Sequence, residues 1–120
     1  NVLFNNRDDH SKNFGFRLGR DRRWRLAPAY DLTYCVGPGA EHQLAVCGEA
    51  RQVQRRHLLE LARQGGLKDS KAGASIERML ARVGFFERAL RDQPIRAAST
   101  RRILQAVAAN AARLQSETGR

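Results

Sequence analysis

The chain reads Asp8-Asp9-His10-Ser11-Lys12-Asn13 near its beginning and Tyr30-Asp31-Leu32 further on, with Asp31 eighteen residues after Asn13. Between these polar sites, apolar and polar residues alternate over 14–18 and again over 24–26, on either side of the polar turn Gly19-Arg20-Asp21-Arg22. This arrangement predicts a β-hairpin. Because antiparallel strands bring the two ends of a hairpin together, we expect Asn13 and Asp31 to approach one site.

The 120-residue chain divides into two parts that differ in composition and in the spacing of apolar residues. Residues 1–53 contain many Gly, Pro and Asn residues and short apolar runs, whereas residues 54–116 have few helix breakers and place apolar residues at spacings of three and four. A second, weaker hairpin is predicted over 43–53, with its turn at Gly48-Glu49. The prediction is a single domain over 1–120, in which 1–53 holds the chemistry and 54–116 is a helical scaffold.

The scaffold is expected to contain about three helices whose apolar faces pack in the core. These helices are predicted over 54–64, from 69 or 70 to 86, and from 99 or 100 to 114. The tail over 116–120 is expected to be frayed. With two short β-hairpins ahead of the helices, the predicted fold class is mainly α with a small β portion (α+β).

The composition is strongly basic. Lys and Arg number 22 against 12 Asp and Glu, which gives a formal net charge of +10 and a pI near 11.1. A basic surface can neutralise nucleic-acid phosphates, but Arg is also an ordinary surface residue of helices, so composition leaves both interpretations open. The candidate contacts with DNA or a protein partner are Arg51, Arg55, Arg56 and Arg63.

The sequence lacks the patterns of a transmembrane helix and of a disulfide framework, and both absences bear on the compartment in which the protein works. No run of 18 or more apolar residues is present, so no transmembrane helix is predicted. Cys35 and Cys47 are the only cysteines and lack CxxC spacing, which is typical of reduced thiols rather than of a disulfide framework. Neither the cysteines nor the histidines show the short spacings of structural zinc sites. The prediction is a cytoplasmic protein with no membrane contact.

The polar run has the residue types that phosphoryl transfer from a magnesium nucleotide requires. An aspartate can orient or deprotonate the attacking hydroxyl, while an asparagine oxygen and a second aspartate can hold Mg²⁺ on the phosphates. The interval of five residues to Asn13 selects Asp8 as the catalytic carboxylate, since Asp9 would leave an interval of four. Asn13 and Asp31 are then the candidate metal ligands. The alternative is a purely structural polar loop, in which these side chains bond the nearby backbone.

The stretches Asn1 to Phe16 and Arg25 to Leu32 resemble the C-terminal domain of HipA-like toxin kinases, which are bacterial serine/threonine kinases of toxin-antitoxin modules. The resemblance extends over nearly the whole chain, and the first thirty-two residues carry its specificity. It implies a fold like the larger lobe of a protein kinase. It also implies ATP and Mg²⁺ as cofactors and transfer of the γ-phosphate to a protein hydroxyl.

The resemblance assigns roles to five residues by position. Asp8 takes the position of the catalytic aspartate, and Asn13 and Asp31 take those of the magnesium ligands. His10 and Lys12 also match the family pattern, and we interpret them as loop-ordering or phosphate-facing residues rather than as bases. No essential residue of this half of a kinase site is missing from the chain.

The resemblance also indicates which parts of a kinase site are not found among these residues. A kinase of this type needs a phosphate-covering loop and a strand lysine from an N-terminal lobe, and neither precedes Asp8 in the chain. The chain alone is therefore expected to bind nucleotide weakly and to transfer phosphate poorly or not at all. The alternative function is a non-catalytic binding module that contacts a DNA-binding antitoxin, DNA or both through the basic surface.

Overall fold

Residues 1–115, which the computed structural model describes, form one two-stranded sheet and four α-helices. The strands are β1 (Phe16–Leu18) and β2 (Trp24–Leu26), and the helices are α1 (Arg55–Gln64), α2 (Asp69–Leu80), α3 (Val83–Arg91) and α4 (Ala97–Gln115). Two short 3-10 helices lie over Ser11–Asn13 and Pro38–Ala40. The predicted α+β class is confirmed. The predicted frayed tail, and residue 116 of the predicted scaffold, lie outside the described residues.

The first predicted hairpin is present. Its strands are antiparallel, and their register pairs Phe16 with Leu26, Arg17 with Arg25 and Leu18 with Trp24. The turn is closed by the carboxylate of Asp21, which accepts hydrogen bonds from the Arg25 guanidinium at 2.5 and 2.9 Å. Because directly opposed residues share a face of the hairpin, its four apolar side chains lie together, and all four are more than half exposed.

The second predicted hairpin is limited to its turn. Val46 and Glu49 exchange backbone hydrogen bonds at 2.8 and 3.1 Å, and the two residues between them have φ values of 51° and 85°, which is typical of a type I′ turn. The pairing stops there because the Glu49 carboxylate accepts the amide hydrogen of Arg51 at 2.7 Å, which is the next amide that the ladder would need. The same carboxylate also accepts the amide hydrogen of Gln52 at 2.8 Å. Residues 43–53 therefore form a tight turn rather than two strands.

Four helices occur among the described residues, instead of about three, because the second predicted helix is divided. α2 and α3 are separated by Ala81-Arg82, although no proline marks the break. The division allows α2 to pack on Leu3 while Phe86 of α3 contacts Phe4, with the two ring centroids 4.7 Å apart. α1 begins at the predicted place, and α4 begins two residues earlier than predicted.

The core lies where the first residues of the chain pass between the helices. Its buried apolar cluster consists of Leu3, Ile76, Ala111 and Leu114, and the partly buried side chains packed against it are Val2, Phe4, Leu58, Leu59, Leu80 and Val83. The segment directly before the polar run is therefore held at the centre of the helices. Within residues 1–115, no helix has the length and apolarity needed to cross a membrane.

Candidate active site

The segment before the polar run is fixed by Asn110, a buried residue of α4. Its side-chain nitrogen donates to the carbonyls of Val2 (2.9 Å) and Leu3 (3.3 Å) and to the side-chain oxygen of Asn5 (3.2 Å). Asn5 donates in turn to the carbonyl of Cys35 at 3.2 Å and has a φ of 55°, a region that asparagine tolerates better than most residues. The last helix therefore fixes the path by which the chain enters the polar loop.

A second buried asparagine connects the loop to Asp31. The side-chain nitrogen of Asn6 donates to the side-chain oxygen of Asn1 at 3.0 Å and to the backbone carbonyl of Asp31 at 3.3 Å. Asn6 also pairs with Cys35 in an isolated parallel bridge. Asp31 has a φ of 53°, in the left-handed region, and is exposed. The contacts of Asn6 therefore hold the segment 31–35 beside the loop.

The polar run turns through the short 3-10 helix over residues 11–13. The side-chain nitrogen of Asn13 donates to the backbone carbonyl of Asp8 at 3.0 Å, which leaves the side-chain oxygen of Asn13 for another partner. The hydroxyl of Tyr30 donates to the carbonyl of Lys12 at 2.7 Å. This bond is a second connection between the loop and the residues that flank Asp31.

His10 lies beside Asp8 on the exposed part of the loop. Its Nε2 is 4.0 Å from Oδ1 of Asp8, and the two side chains are 40% and 52% exposed. The Nδ1 atom of His10 is buried and has no hydrogen-bond partner among the described residues. Lys12 is exposed and adds positive charge to the same loop.

The two adjacent carboxylates have opposite environments. The Asp8 side chain is half exposed, whereas Asp9 is only 5% exposed. One oxygen of Asp9 lies 2.9 Å from Nδ1 of His42, and the other accepts the amide hydrogens of Gln43 (2.9 Å) and Leu44 (3.4 Å). The Asp9 carboxylate is thus occupied within the protein, while that of Asp8 is open to a ligand.

Burial determines the protonation of His42. It lowers the pKa of the imidazole below its ordinary value, Asp9 acts in the opposite direction, and the nearby positive charge of Arg7 adds to the lowering. An imidazole that is neutral in the folded protein takes up a proton more readily in the unfolded chain, at about pH 6.5. The contribution of His42 to the free energy of unfolding is therefore complete above that pH and decreases as the pH falls below it.

We expect the His42→Asn variant to lose less stability than the wild-type protein between about pH 7.5 and pH 5, because the variant has no imidazole to protonate on unfolding. Urea denaturation of both proteins at the two pH values measures this difference in free energy. An equal pH dependence, or a steeper loss in the variant, would contradict a neutral buried imidazole.

The loop offers oxygen donors that suit a magnesium ion bound mainly by nucleotide phosphates. Among the described residues, no group of three or more His, Cys, Asp or Glu side chains is arranged to hold a metal ion. Asn13 has an unused side-chain oxygen, and the Asp31 side chain is exposed. One neutral and one anionic oxygen fit the coordination of Mg²⁺, which usually keeps water and phosphate oxygens as its other ligands.

A cavity of about 520 Å³ opens next to the loop. Its walls are mostly apolar and aromatic, with Asn6 and Asn13 among the polar residues that reach it. Neither Asp8 nor Asp31 lines the cavity. Asn13 therefore lines the apolar cavity, and its side-chain nitrogen bonds the backbone carbonyl of Asp8.

A comparison with family models matches this same part of the chain. The model of the HipA-like C-terminal domain matches residues 1–84, more than two thirds of the sequence. The chain belongs to the HipA-like C-terminal domain family. The loop, the hairpin, α1 and α2 of this HipA-like domain lie within the matched residues, whereas most of α3 and all of α4 lie beyond them. No match was found among curated proteins or among solved structures.

The arginines predicted to contact DNA or a partner are mostly paired within the HipA-like domain. Arg56 is exposed. The other three lie in the ion pairs Arg51–Glu41 (2.7 Å), Arg55–Glu77 (2.5 Å) and Arg63–Asp69 (2.7 Å). This pairing reduces the positive charge that the surface offers to phosphates. Contact with DNA or with an antitoxin stays a prediction.

Three buried polar residues that support the site in this HipA-like domain are absent from the sequence predictions, namely Asn6, His42 and Asn110. Asn110 alone carries a signal, because it lies on the apolar face of α4, next to Ala111 and three residues after Val107. Asn6 and His42 give no signal of this kind, since both lie in irregular segments and their partners are distant in sequence. His42 and Asp9, for example, are separated by 33 positions.

Proposed function

We propose that this chain supplies the catalytic loop and the metal ligands of a serine/threonine protein kinase that transfers the γ-phosphate of ATP to a protein hydroxyl. The observation that carries the proposal is the contrast between two adjacent carboxylates. Asp9 is buried and its carboxylate is hydrogen-bonded, whereas the side chain of Asp8 is half exposed. This contrast supports Asp8 as the carboxylate that meets the substrate, in the interval of five residues to Asn13.

In the proposed mechanism, Asp8 accepts a hydrogen bond from the substrate hydroxyl and orients its oxygen toward the γ-phosphorus. The carboxylate takes the proton as the new P–O bond forms and the bond to the leaving ADP oxygen breaks. Lys12 contributes positive charge to the loop, and His10 shares its exposed side with Asp8. These roles require only groups that are already open to a ligand.

Asn13 and Asp31 would hold Mg²⁺ on the phosphates. The bound ion neutralises phosphate charge, which is the chemistry that it supplies to this class of reaction. Because the nitrogen of Asn13 donates to the carbonyl of Asp8, the oxygen of Asn13 remains for the ion. The same hydrogen bond couples the metal ligand to the catalytic residue.

Binding of a metal ion tests this proposal directly. Phosphoryl transfer is a less direct test, because it also requires groups that cover the phosphates. With Mn²⁺ and a non-hydrolysable ATP analogue, we expect paramagnetic broadening of the NMR signals of the Asn13 side-chain amide and the Asp31 backbone amide. Asn13→Ala and Asp31→Gly are each expected to weaken this effect at least about tenfold. Glycine suits the φ of 53° at position 31, so the second variant keeps the backbone conformation.

The matched control is Asp21→Ala, which removes a carboxylate at the hairpin turn and should leave the Mn²⁺ titration unchanged. Broadening centred on another carboxylate, such as Asp69, would show that the loop is not the metal site. A titration that is the same in wild-type protein and in both site variants would lead to the same conclusion.

A further inference from the structure

The pair formed by Asp9 and His42 joins the polar loop to the segment that follows Asp31. Only 7% of the Asp9 side chain and 3% of the His42 side chain are exposed. Burying a carboxylate is costly unless its oxygens are hydrogen-bonded. Asp9 meets this condition through the imidazole at 2.9 Å and two backbone amides at 2.9 and 3.4 Å. Asp9 therefore organises the backbone over residues 42–44.

Arg7 makes a second connection to the same part of the chain. Its guanidinium donates to the carbonyls of Ala40 and Arg51, and its own carbonyl, at 3.2 Å, shares the amide hydrogen of Gln43 with the Asp9 carboxylate. Gly37 lies so close that a Cβ atom added there would be 2.9 Å from Cβ of Arg7. Residues 7 and 9 are thus both fixed to the segment 37–51.

Asp8, between these two fixed residues, is the exposed one. Because Arg7 and Asp9 are both held by the segment 37–51, the backbone of Asp8 between them is fixed while its side chain stays exposed. The carbonyl of Asp8 also accepts the hydrogen bond from Asn13. A displacement at Asp9 would therefore reach both the proposed catalytic carboxylate and a proposed metal ligand.

We infer that Asp9 and His42 are a positioning pair that sets the orientation of Asp8 and Asn13, an inference that rests on the proposed function of those two residues. The pair acts through hydrogen bonds, so substitutions that retain the hydrogen-bonding groups should retain the effect. Asparagine at position 9 can accept the backbone amides with its oxygen and donate to His42 with its nitrogen, when the imidazole proton is on Nε2. Asparagine at position 42 places a donor where Nδ1 now lies.

The experiment compares Asp9→Ala with Asp9→Asn, and His42→Leu with His42→Asn, in the full 120-residue chain. Hydrogen exchange at the amides of Asn13 and Phe14, which close the 3-10 helix, reports on the order of the loop. Mn²⁺ broadening with the ATP analogue reports on the metal ligands. We expect the Ala and Leu variants to accelerate exchange and weaken Mn²⁺ binding at least about tenfold, and the two Asn variants to stay within about threefold of wild type.

Two controls separate positioning from general unfolding. Amides within α1 and α4 should exchange at wild-type rates in every variant, and Asp21→Ala should leave the loop unchanged. If His42→Leu unfolds the whole chain, His42→Gln replaces it, because glutamine displaces the donor without removing it. This milder variant is expected to give the same pattern of changes at smaller amplitude.

Unchanged exchange at Asn13 and Phe14 in folded Asp9→Ala and His42→Leu proteins overturns the positioning role. Equal losses in the Asn variants and in the Ala and Leu variants also overturn it, because hydrogen bonding would then not be what the loop requires. If wild-type protein shows no Mn²⁺ broadening at all, the proposed function fails instead. The exchange measurement then still decides whether the pair orders the loop.

Discussion

On the proposed function, replacing Asp8 with alanine is expected to reduce phosphoryl transfer by a factor of about 10²–10⁴ in a protein that joins this chain to a phosphate-covering lobe. In the proposed mechanism, the substitution removes the group that would orient the hydroxyl and take its proton, while Asn13 and Asp31 would remain to hold the metal ion. The loss should therefore be in kcat, with little change in the KM for ATP. Transfer of labelled γ-phosphate from ATP to protein, at saturating Mg²⁺, measures both constants.

The matched control for this measurement is Asp21→Ala, which also removes an exposed aspartate but lies at the hairpin turn. It should retain wild-type kcat. Wild-type turnover in the Asp8→Ala protein would mean that Asp8 is not the catalytic carboxylate. The alternative of a purely structural polar loop would then account better for this run of residues.

Replacing Asn110 with alanine is expected to lower the free energy of unfolding by about 2–4 kcal/mol. Asn110 is 5% exposed, and its side-chain nitrogen bonds the carbonyls of Val2 and Leu3 and the oxygen of Asn5. Truncation leaves these buried acceptors without that donor. Urea denaturation of the two proteins measures the difference.

Gln105→Ala is the control for Asn110→Ala, because Gln105 lies on the same helix and is exposed. Its effect is expected to stay within about 0.5 kcal/mol. If the two substitutions cost the same free energy, the hydrogen bonds of Asn110 do not stabilise the start of the chain. The start of the chain would then be held by the apolar core around Leu3 instead.

The first hairpin is predictable from the sequence because its causes are local. The alternation of residues on both sides of a polar turn determines the strands, and the turn is completed by Asp21 and Arg25, which are four positions apart. The second hairpin has a similar pattern but does not form strands, because the Glu49 side chain takes the amide of Arg51, which the ladder would need next. Competition of this kind between side chain and backbone is not visible in an apolar pattern.

The helices show the same limit of prediction from sequence patterns. The apolar spacing from 69 to 86 continues across Ala81-Arg82, so sequence periodicity cannot reveal that the helix is interrupted there. The break is explained by tertiary contacts, since Phe86 meets Phe4 and α2 meets Leu3. The family and the fold class are confirmed, whereas the resemblance to a kinase lobe stays a prediction.

In the candidate site too, some features have local causes and others depend on residues that are distant in sequence. The interval from Asp8 to Asn13 is local, and this spacing by itself favours Asp8 over Asp9. The partner that occupies the Asp9 carboxylate is His42, which lies 33 positions away in a segment without regular structure. Patterns of spacing can therefore nominate the reacting residues, but they cannot identify the residues that hold them.

The hydrogen bonds of Asn110 also have a consequence for biosynthesis. They join positions that are 108, 107 and 105 residues apart, so this anchor of residues 2–5 can form only after α4 has been synthesised. A chain cut at residue 84, where the family match ends, would contain every proposed catalytic and metal-binding residue but not α4. Translation must pass residue 110 before this anchor can form, and a chain without α4 would carry the proposed site residues without the hydrogen bonds that hold residues 2–5.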